Sequence, residues 1–447
     1  MATVFRARTL ALFLGDILFF VLALWVSLFL RTLSVPPEDV FINHLLAFSF
    51  LFATWTVIFV IAGLYESRSI ILARRALSVS LLAAQTFNII LAALFFFLLP
   101  YFDITPKFLL IIYLLVSFLF IFIWRVVLFP RLWLQRPENA IIVGNISEAH
   151  ELAEALNRAH RAPARVATVI NPEEENLSHK VANAVEKHKA KFIIADLNNT
   201  AVSHAFPELY NFLSSGIRFF DVLNLYEQVF ERIPLSNLDE RWIARNISRY
   251  SHTWYDSLKR GMDIALAGLG VLLTLVVYPF VAIAIKLDDG GPIFITQTRV
   301  GEDNRPVRIY KFRSMRRNDT ELTSQVSDNK VTRVGRFLRM TRLDEVPQLW
   351  NVVRGDLSLI GPRPELPSGV ALYEKEIPYY GMRHLIKPGL SGWAQLYHDA
   401  HPHHAVHVEA TREKLSYDLY YLKHRSLLLD LIIALKTFKK LLTRSGV

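Results

Sequence analysis

The chain of 447 residues contains no cysteine. That removes disulfides, thiolate nucleophiles and cysteine-held metals from consideration, and it fits a cytosolic face. A glycine-rich dinucleotide loop is missing too. The turn placed to carry a G-x-G-x-x-G signature has Gly144 alone, followed by Asn145 and Ile146, so NAD binding is not expected there. The first apolar run lacks a small-residue cleavage site and more runs follow, which argues against a cleavable signal. Acidic residues are outnumbered, 40 against 50 lysines and arginines, for a net charge of +10. A surface of that sign favours phosphates, anionic lipid headgroups or nucleic acid.

What the chain has in abundance is apolar sequence. Hydrophobic residues make up 52% of it and mean hydropathy is +0.29, which points to membrane segments. Four runs near the ~20 residues that cross a bilayer as helix come first: Leu10–Leu30, His44–Leu64, Leu81–Leu99 and Phe108–Leu128. Arg6 and Arg8 precede the first; Glu38 and Asp39 separate it from the second; Arg68, Arg74 and Arg75 follow the second; Arg131 and Arg136 follow the fourth. The positive-inside rule then puts the N-terminus and everything after residue 130 in the cytoplasm. Asp16, inside the first run, is expected to be buried with a partner, because intramembrane carboxylates rarely face lipid.

Composition changes near Pro130. "NAIIVGN", "ARVATVI" and "KFIIADL" read as strands, with helical "SEAHELAEALNRAH" and "HKVANAVEKHKA" between them. Alternating strands and helices predict a parallel α/β sheet, here a degenerate Rossmann-like domain. A fifth apolar run, Ile264–Ile285, contains Pro279. It is long enough to span, and proline interrupts helix hydrogen bonding, so a bent helix that enters and leaves on one side is the alternative. The last segment, "LLLDLIIALKTFKKLL", reads either as a surface amphipathic helix or as an ordinary packing helix.

The stretch Arg299–Arg363 holds 14 Lys/Arg against 8 Asp/Glu. Two details stand out within it. Asp344 and Glu345 are adjacent carboxylates after a pattern of recurring arginines, Arg336, Arg339 and Arg342, with Pro347 just beyond. Neighbouring residues on a helix point about 100° apart, so the two can divide labour, one attacking phosphorus and one holding a metal. The other detail is "GPRPE", in which Pro362 and Pro364 restrict the backbone around Arg363 and pre-orient a guanidinium suited to phosphate oxygens.

The ordered motifs "KRGMDI", "GPIFITQTRVG", "IYKFRSM", "TRVGRFLRMTRLDEVPQLWNVVRGDLSLIGPRPE", "IKPGLSGWAQ" and "KLSYDLYYLKH" resemble the catalytic domain of the bacterial sugar transferases, the monotopic phosphoglycosyl transferases. The N-terminal half resembles the large form of that family: four helices, then a Rossmann-like domain ending in a "PLSNLDERW"-type strand. The resemblance implies an α-helical membrane bundle (1–137), a Rossmann-like α/β domain (138–250) and a mainly α-helical monotopic catalytic domain (251–447), with a re-entrant membrane helix at about 259–286. It implies transfer of sugar-1-phosphate from a UDP-sugar to a polyprenyl phosphate at the bacterial inner membrane, with the catalytic domain on the cytoplasmic face. Asp344 matches the family's nucleophile and Glu345 its Mg²⁺-binding residue. Arg363 with Pro362 and Pro364 matches the donor-phosphate site, and Lys311 and Arg313 match basic residues nearby. Arg342 joins them in the candidate phosphate-binding set, and Pro279 is the membrane break, preceded here by Tyr278 where many relatives have serine. A homodimer is the assembly the large-form relatives suggest.

Other signals carry less. Tyr255 and Lys259 form a YxxxK pair of the dehydratase type, but those enzymes need the glycine loop that is missing. His398, His401, His403, His404 and His407 cluster around Pro402, which suggests a polar loop rather than a metal site. Nucleic-acid binding explains the charge but not five apolar segments. A non-catalytic scaffold and a membrane dehydratase remain as alternative readings.

Overall fold

The computed structural model describes residues 2–65, 81, 84–85, 88, 92, 107–133, 137–159, 162, 164–247, 253–316, 331–397 and 408–442. The third apolar run lies mostly outside these residues, as do Arg68, Arg74, Arg75, Arg136 and the histidine-rich segment. The chain divides into two compact units, Met1–Phe230 and Glu231–Val447.

The first unit opens with helices α1 (Ala2–Thr32), α2 (Glu38–Ile61) and α3 (Lys107–Phe122). Their shared core is aromatic: Phe20, Phe48, Trp55, Phe59 and Tyr113 are fully buried. Asp16 is buried, as its position inside an apolar run predicts. Its Oδ1 accepts from Arg125 Nε at 2.9 Å, Arg125 Nη2 reaches Oδ2, and the Tyr65 hydroxyl donates to Oδ2 at 2.6 Å. Arg125 lies in a π-helical turn, Ile123–Leu128, that continues α3. The extra residue of such a turn re-aims one side chain, and here the guanidinium also reaches the Leu64 carbonyl at 3.0 Å.

A four-stranded sheet follows in the same unit. Strands β1 (Glu138–Val143), β2 (Ala164–Ile170), β3 (Phe192–Ala195) and β4 (Arg218–Asp221) are all parallel in the order β2-β1-β3-β4. Helices α4 (Ser147–Arg158), α5 (Leu177–His188), α6 (Thr200–Leu209) and α7 (Val222–Phe230) connect or follow them. The three expected strands are present. The short edge strand β4, "RFFD", is an addition to them, because it carries too few residues for a clear period.

The second unit corrects one expectation. "PLSNLDERW" is not a strand: Leu235–Asn237 is a 3₁₀ turn, and α8 (Glu240–Asn246) starts where the Asp239 carboxylate accepts from Trp242 N at 2.6 Å. An aspartate N-cap satisfies a donor that a strand would leave to a neighbour. Ile233, Trp242 and Ile247 join the core of this unit. Helix α9 (Thr253–Asp289) is one helix of 37 residues running through Pro279. It exposes Leu269, Leu272, Leu273, Leu275, Val276 and Phe280 along its middle, and an apolar helix without protein cover is a membrane element.

The hairpin β5 (Phe294–Val300) and β6 (Pro306–Phe312) comes next, followed by α10 (Arg333–Met340), α11 (Gln348–Arg354), β7 (Ser358–Ile360) and α12 (Pro367–Glu376). Strand β8 (Gly389–Ser391) pairs in parallel with β7, and α13 (Val408–His424) and α14 (Leu427–Leu442) close the chain. Helix α14 packs into the unit through Ile433 and Asp430, which are buried, while Leu428, Leu431, Phe438 and Leu441 stay exposed. Four helical stretches among the described residues, Thr9–Thr32, Glu38–Ile61, Leu109–Leu132 and Trp254–Asp289, are long and apolar enough to cross a bilayer. The chain is a membrane protein with N-terminal apolar helices, a parallel α/β sheet and a helical C-terminal region.

Candidate active site

Asp344 and Glu345 occupy a 3₁₀ turn, Leu343–Glu345, between α10 and α11. Arg342 enters it with φ +57°, a left-handed conformation that costs a non-glycine residue about 1 kcal/mol or more. The reversal ends α10, and Pro347 caps the start of α11. Position on a tight turn, rather than on a helix face, sets the directions of the two carboxylates.

Glu345 is the hub of charge. Its Oε1 accepts from Lys311 Nζ at 3.0 Å and from Arg363 Nη2 at 3.0 Å, while Arg342 Nη1 stands 3.8 Å from Oε2. Three predicted cations from three separate elements thus converge on one predicted carboxylate. Burial alone would raise the Glu345 pKa, but Arg363, Lys311 and Arg342 outweigh it and hold the group well below the usual carboxylate range. Asp344 goes the other way. Burial, reinforced by the Glu345 charge and opposed by Lys311, Arg339 and Arg342, pushes its carboxyl up to about 6. Neighbouring carboxylates driven apart in this way are suited to different tasks.

The surrounding elements fix this geometry. Lys311 is on β6, and Asn351 of α11, fully buried, stitches the two together: Tyr310 N donates to its Oδ1 at 3.1 Å and its Nδ2 donates to the Arg308 carbonyl at 2.7 Å. Helix α11 is held in turn by Arg260 of α9, which donates to the Val352 and Val353 carbonyls at 2.6 and 2.7 Å. Asp263, one turn along α9, accepts from Ser358 Oγ at 2.8 Å and Leu359 N at 3.2 Å, placing β7 and the Arg363 segment that follows. Gly361 N donates to the Ser391 carbonyl and Gly389 N to that of Pro362, each at 2.8 Å. A Cβ on Gly361 would stand 2.5 Å from the Lys387 carbonyl, so only glycine lets the two segments cross this closely.

Arg313 is not brought to the cluster. It pairs with Asp289 at the end of α9 at 3.0 Å, donates to the Met315 carbonyl at 3.0 Å, and covers Gly291. Tyr255 and Lys259 also find a structural use: both donate to the buried Asp430 of α14, at 2.8 and 3.0 Å. Asn351 and Asp263 hold these elements in place, and the sequence does not single them out. Each lies within a recognisable motif, but their partners are distant in the chain.

A carboxylate pair among fixed cations, on a domain gripping an uncovered apolar helix, suits phosphate chemistry at a membrane. Residues 254–444 match the bacterial sugar transferase family, and residues 60–209 match a CoA-binding domain family. The chain belongs to the bacterial sugar transferase family. It is 38% identical over 261 residues to a UDP-N-acetylgalactosamine-undecaprenyl-phosphate N-acetylgalactosaminephosphotransferase of Aeromonas hydrophila, covering 57% of this chain and 59% of that protein. It is 39% identical over 193 residues to a UDP-glucose:undecaprenyl-phosphate glucose-1-phosphate transferase of Escherichia coli K12, covering 42% and 41% respectively. It is 39% identical over 195 residues to the exopolysaccharide production protein PSS of Rhizobium leguminosarum, covering 42% of this chain and 96% of that one. The matches span about half the length of the first two relatives.

Proposed function

We propose that the protein transfers sugar-1-phosphate from a UDP-sugar to undecaprenyl phosphate, releasing UMP, in bacterial polysaccharide synthesis. The observation that carries this reading is the Asp344–Glu345 turn with Lys311 and Arg363 converging on Glu345. Asp344 is the nucleophile. One of its oxygens attacks the β-phosphorus of the donor; the O–P bond forms as the P–O bond to UMP breaks, and UMP leaves. An oxygen of undecaprenyl phosphate then attacks the same phosphorus. The Asp344–phosphorus bond breaks, which restores the carboxylate and yields the diphosphate-linked sugar. Two anions must approach each other, so fixed cations are required. Arg363 takes donor phosphate oxygens, with Lys311 and Arg342 beside it, and Arg313 serves the site only by holding the end of α9.

Magnesium is the cofactor this reading implies. Among the described residues no group of three or more His, Asp or Glu is poised to hold a metal. A pair of carboxylates fits Mg²⁺ nonetheless, since that ion takes few protein ligands and completes its shell with phosphate and water oxygens. Glu345 would hold it, with Asp344 adjacent on the same turn. When bound, the ion supplies charge neutralisation to the phosphates.

The membrane reading rests on how α9 is fastened. Near its start Arg260 and Asp263 bind α11 and β7; at its end Asp288 accepts from Val334 N at 2.8 Å and Asp289 pairs with Arg313. Both ends are fastened to one folded body, which supports a re-entrant path in which the helix enters and leaves the bilayer on one face, with Pro279 as the membrane break. Exposed Phe337, Met340 and Trp350 flank the Asp344 turn and suit a lipid-facing rim for the acceptor. The donor is cytosolic, which puts this face at the cytoplasmic leaflet. We assign 1–137 to the bundle and the α/β sheet to a structural or regulatory domain. Asp196, buried at the end of β3, has its pKa raised by burial and by the charges of Asp221 and Glu148; carboxylates there are the wrong sign for a pyrophosphate.

The test is UMP release from a panel of UDP-sugars by purified protein with Mg²⁺ and undecaprenyl phosphate in nanodiscs. Release with one donor, abolished in Asp344→Asn, is the expected result. Substantial transfer by that variant would overturn the nucleophile assignment, and no release from any donor would overturn the reaction.

A further inference from the structure

Arg363 is carried by a backbone whose own support lies deeper. Arg383, in the 3₁₀ segment Tyr380–Leu385, is 3% exposed. Its Nη2 donates to the Arg363 main-chain carbonyl at 3.1 Å and stands 2.8 Å from Asp418 Oδ2 of α13. Its Nη1 donates to the Tyr380 hydroxyl at 2.6 Å and lies 3.5 Å from Glu365 Oε1. Glu365 is gripped independently: Lys414 donates to the same oxygen at 3.2 Å, and Val300 N donates to the Glu365 carbonyl at 2.9 Å. The proline on each side of Arg363 cannot donate a main-chain hydrogen bond, so the carbonyls are the handles left on this stretch. Those of Pro362, Arg363 and Glu365 are taken by Gly389 N, Arg383 and Val300 N.

We propose that Arg383, braced by Asp418 and Tyr380, is a positioning residue for Arg363: it fixes the height and direction of the guanidinium that binds the donor phosphates. The inference rests on the proposed transferase function. A guanidinium that donates to a main-chain carbonyl and to a phenol, with two carboxylates paired to it at 2.8 and 3.5 Å, is more constrained than a buried charge needs to be for neutrality, since Asp418 alone would balance it. A buried ion pair by itself contributes little net stability. A strut that sets a phosphate-binding arginine acts on the reaction instead, where misplacement by about 1 Å can cost on the order of 100-fold.

The experiment compares parent, Arg383→Lys and Tyr380→Phe, as full-length protein in nanodiscs. UMP release is followed as a function of UDP-sugar at saturating undecaprenyl phosphate, and then as a function of undecaprenyl phosphate at saturating donor. Arg383→Lys keeps the charge and loses the fork, so donor kcat/KM is expected to fall about ten- to a hundredfold while the acceptor KM changes less than threefold. Tyr380→Phe keeps Arg383 itself and is expected to show a smaller loss in the same direction. Lowered thermal stability with unchanged donor kcat/KM in the folded fraction would assign Arg383 a purely structural role and overturn the proposal. Equal losses toward donor and acceptor would overturn it as well. If Arg383→Lys does not fold, Tyr380→Phe decides: parent-like donor kinetics there reject the strut. A parent that turns over no donor overturns the transferase reading, and this inference with it, whereas an active parent with indifferent variants removes the inference alone.

Discussion

Glu345→Gln is the most informative single change in the site. The amide keeps the shape and one acceptor oxygen for Lys311 and Arg363, but removes the charge on which both converge at 3.0 Å. At that separation each attraction is about 5 kcal/mol for an effective dielectric of about 20, before desolvation is subtracted. Removing one partner of a buried pair costs roughly 3–5 kcal/mol. Glu345 and Lys311 are 21% and 18% exposed, so part of that is screened and about 2–3 kcal/mol is the expected loss. For a unit of this size, each kcal/mol moves the melting temperature by about 2–4 °C, so the variant should melt roughly 4–12 °C below the parent in nanodiscs without added metal. Adding Lys311→Met to Glu345→Gln removes one of the stranded cations and should recover part of the loss. Mg²⁺ should raise the parent's melting temperature and leave that of Glu345→Gln nearly unchanged, because a ligand stabilises only the form that binds it. An unaltered melting temperature, or a Mg²⁺ response equal to the parent's, would refute the assignment of Glu345 as charge hub and metal ligand.

Two further predictions concern the framework. Gly361→Ala places a Cβ against the Lys387 carbonyl, a backbone atom that cannot rotate aside. The overpacking should cost about 1–3 kcal/mol and lower the melting temperature, and a parent-like melt would show that β7 and β8 can separate freely. His384, whose Nδ1 faces Asn304 Oδ1 at 2.5 Å, has its ring pushed down to about 4 by burial first and by Arg383 second, with Glu365 opposing. The unfolded chain takes up that proton near pH 6.5, so this contribution to stability is intact above about 6.5 and falls as pH drops toward 4, by up to about 3 kcal/mol. Melting temperatures of the parent and His384→Gln across this window should converge as pH falls; parallel curves would refute it.

Much of this is legible in the sequence. Apolar runs of bilayer length announce themselves by composition, and strands between helices by period. Adjacent carboxylates and an arginine between prolines are local patterns, so Asp344, Glu345 and Arg363 can be noticed in the sequence, while their roles come from the resemblance of the motifs around them. Partner choice is not local. Lys311 and Arg313 lie two residues apart in one basic motif, yet one reaches Glu345 and the other Asp289, because the end of α9 captures the second. The "PLSNLDERW" segment is expected as a strand only through the resemblance; its apolar residues Leu235, Leu238 and Trp242 have helical spacing, and the Asp239 cap starts a helix there. Arg383 carries no local signal, since its value comes from a carbonyl twenty residues earlier and a carboxylate on α13.

The fastening of α9 at both ends has a consequence for the lipid. A spanning helix must match its apolar length to the thickness of the hydrocarbon, and it tilts or thins the bilayer when it fails. A helix tied by Arg260 and Asp263 at one end and Asp288 and Asp289 at the other, dipping into one leaflet on the proposed reading, has no opposite face to reach. Thickness then drops out as a control on this domain. What it senses instead is the lateral packing of a single leaflet, so lipids that crowd or loosen the cytoplasmic side should change how deep the Asp344 turn rides, and with it how easily a polyprenyl headgroup is met.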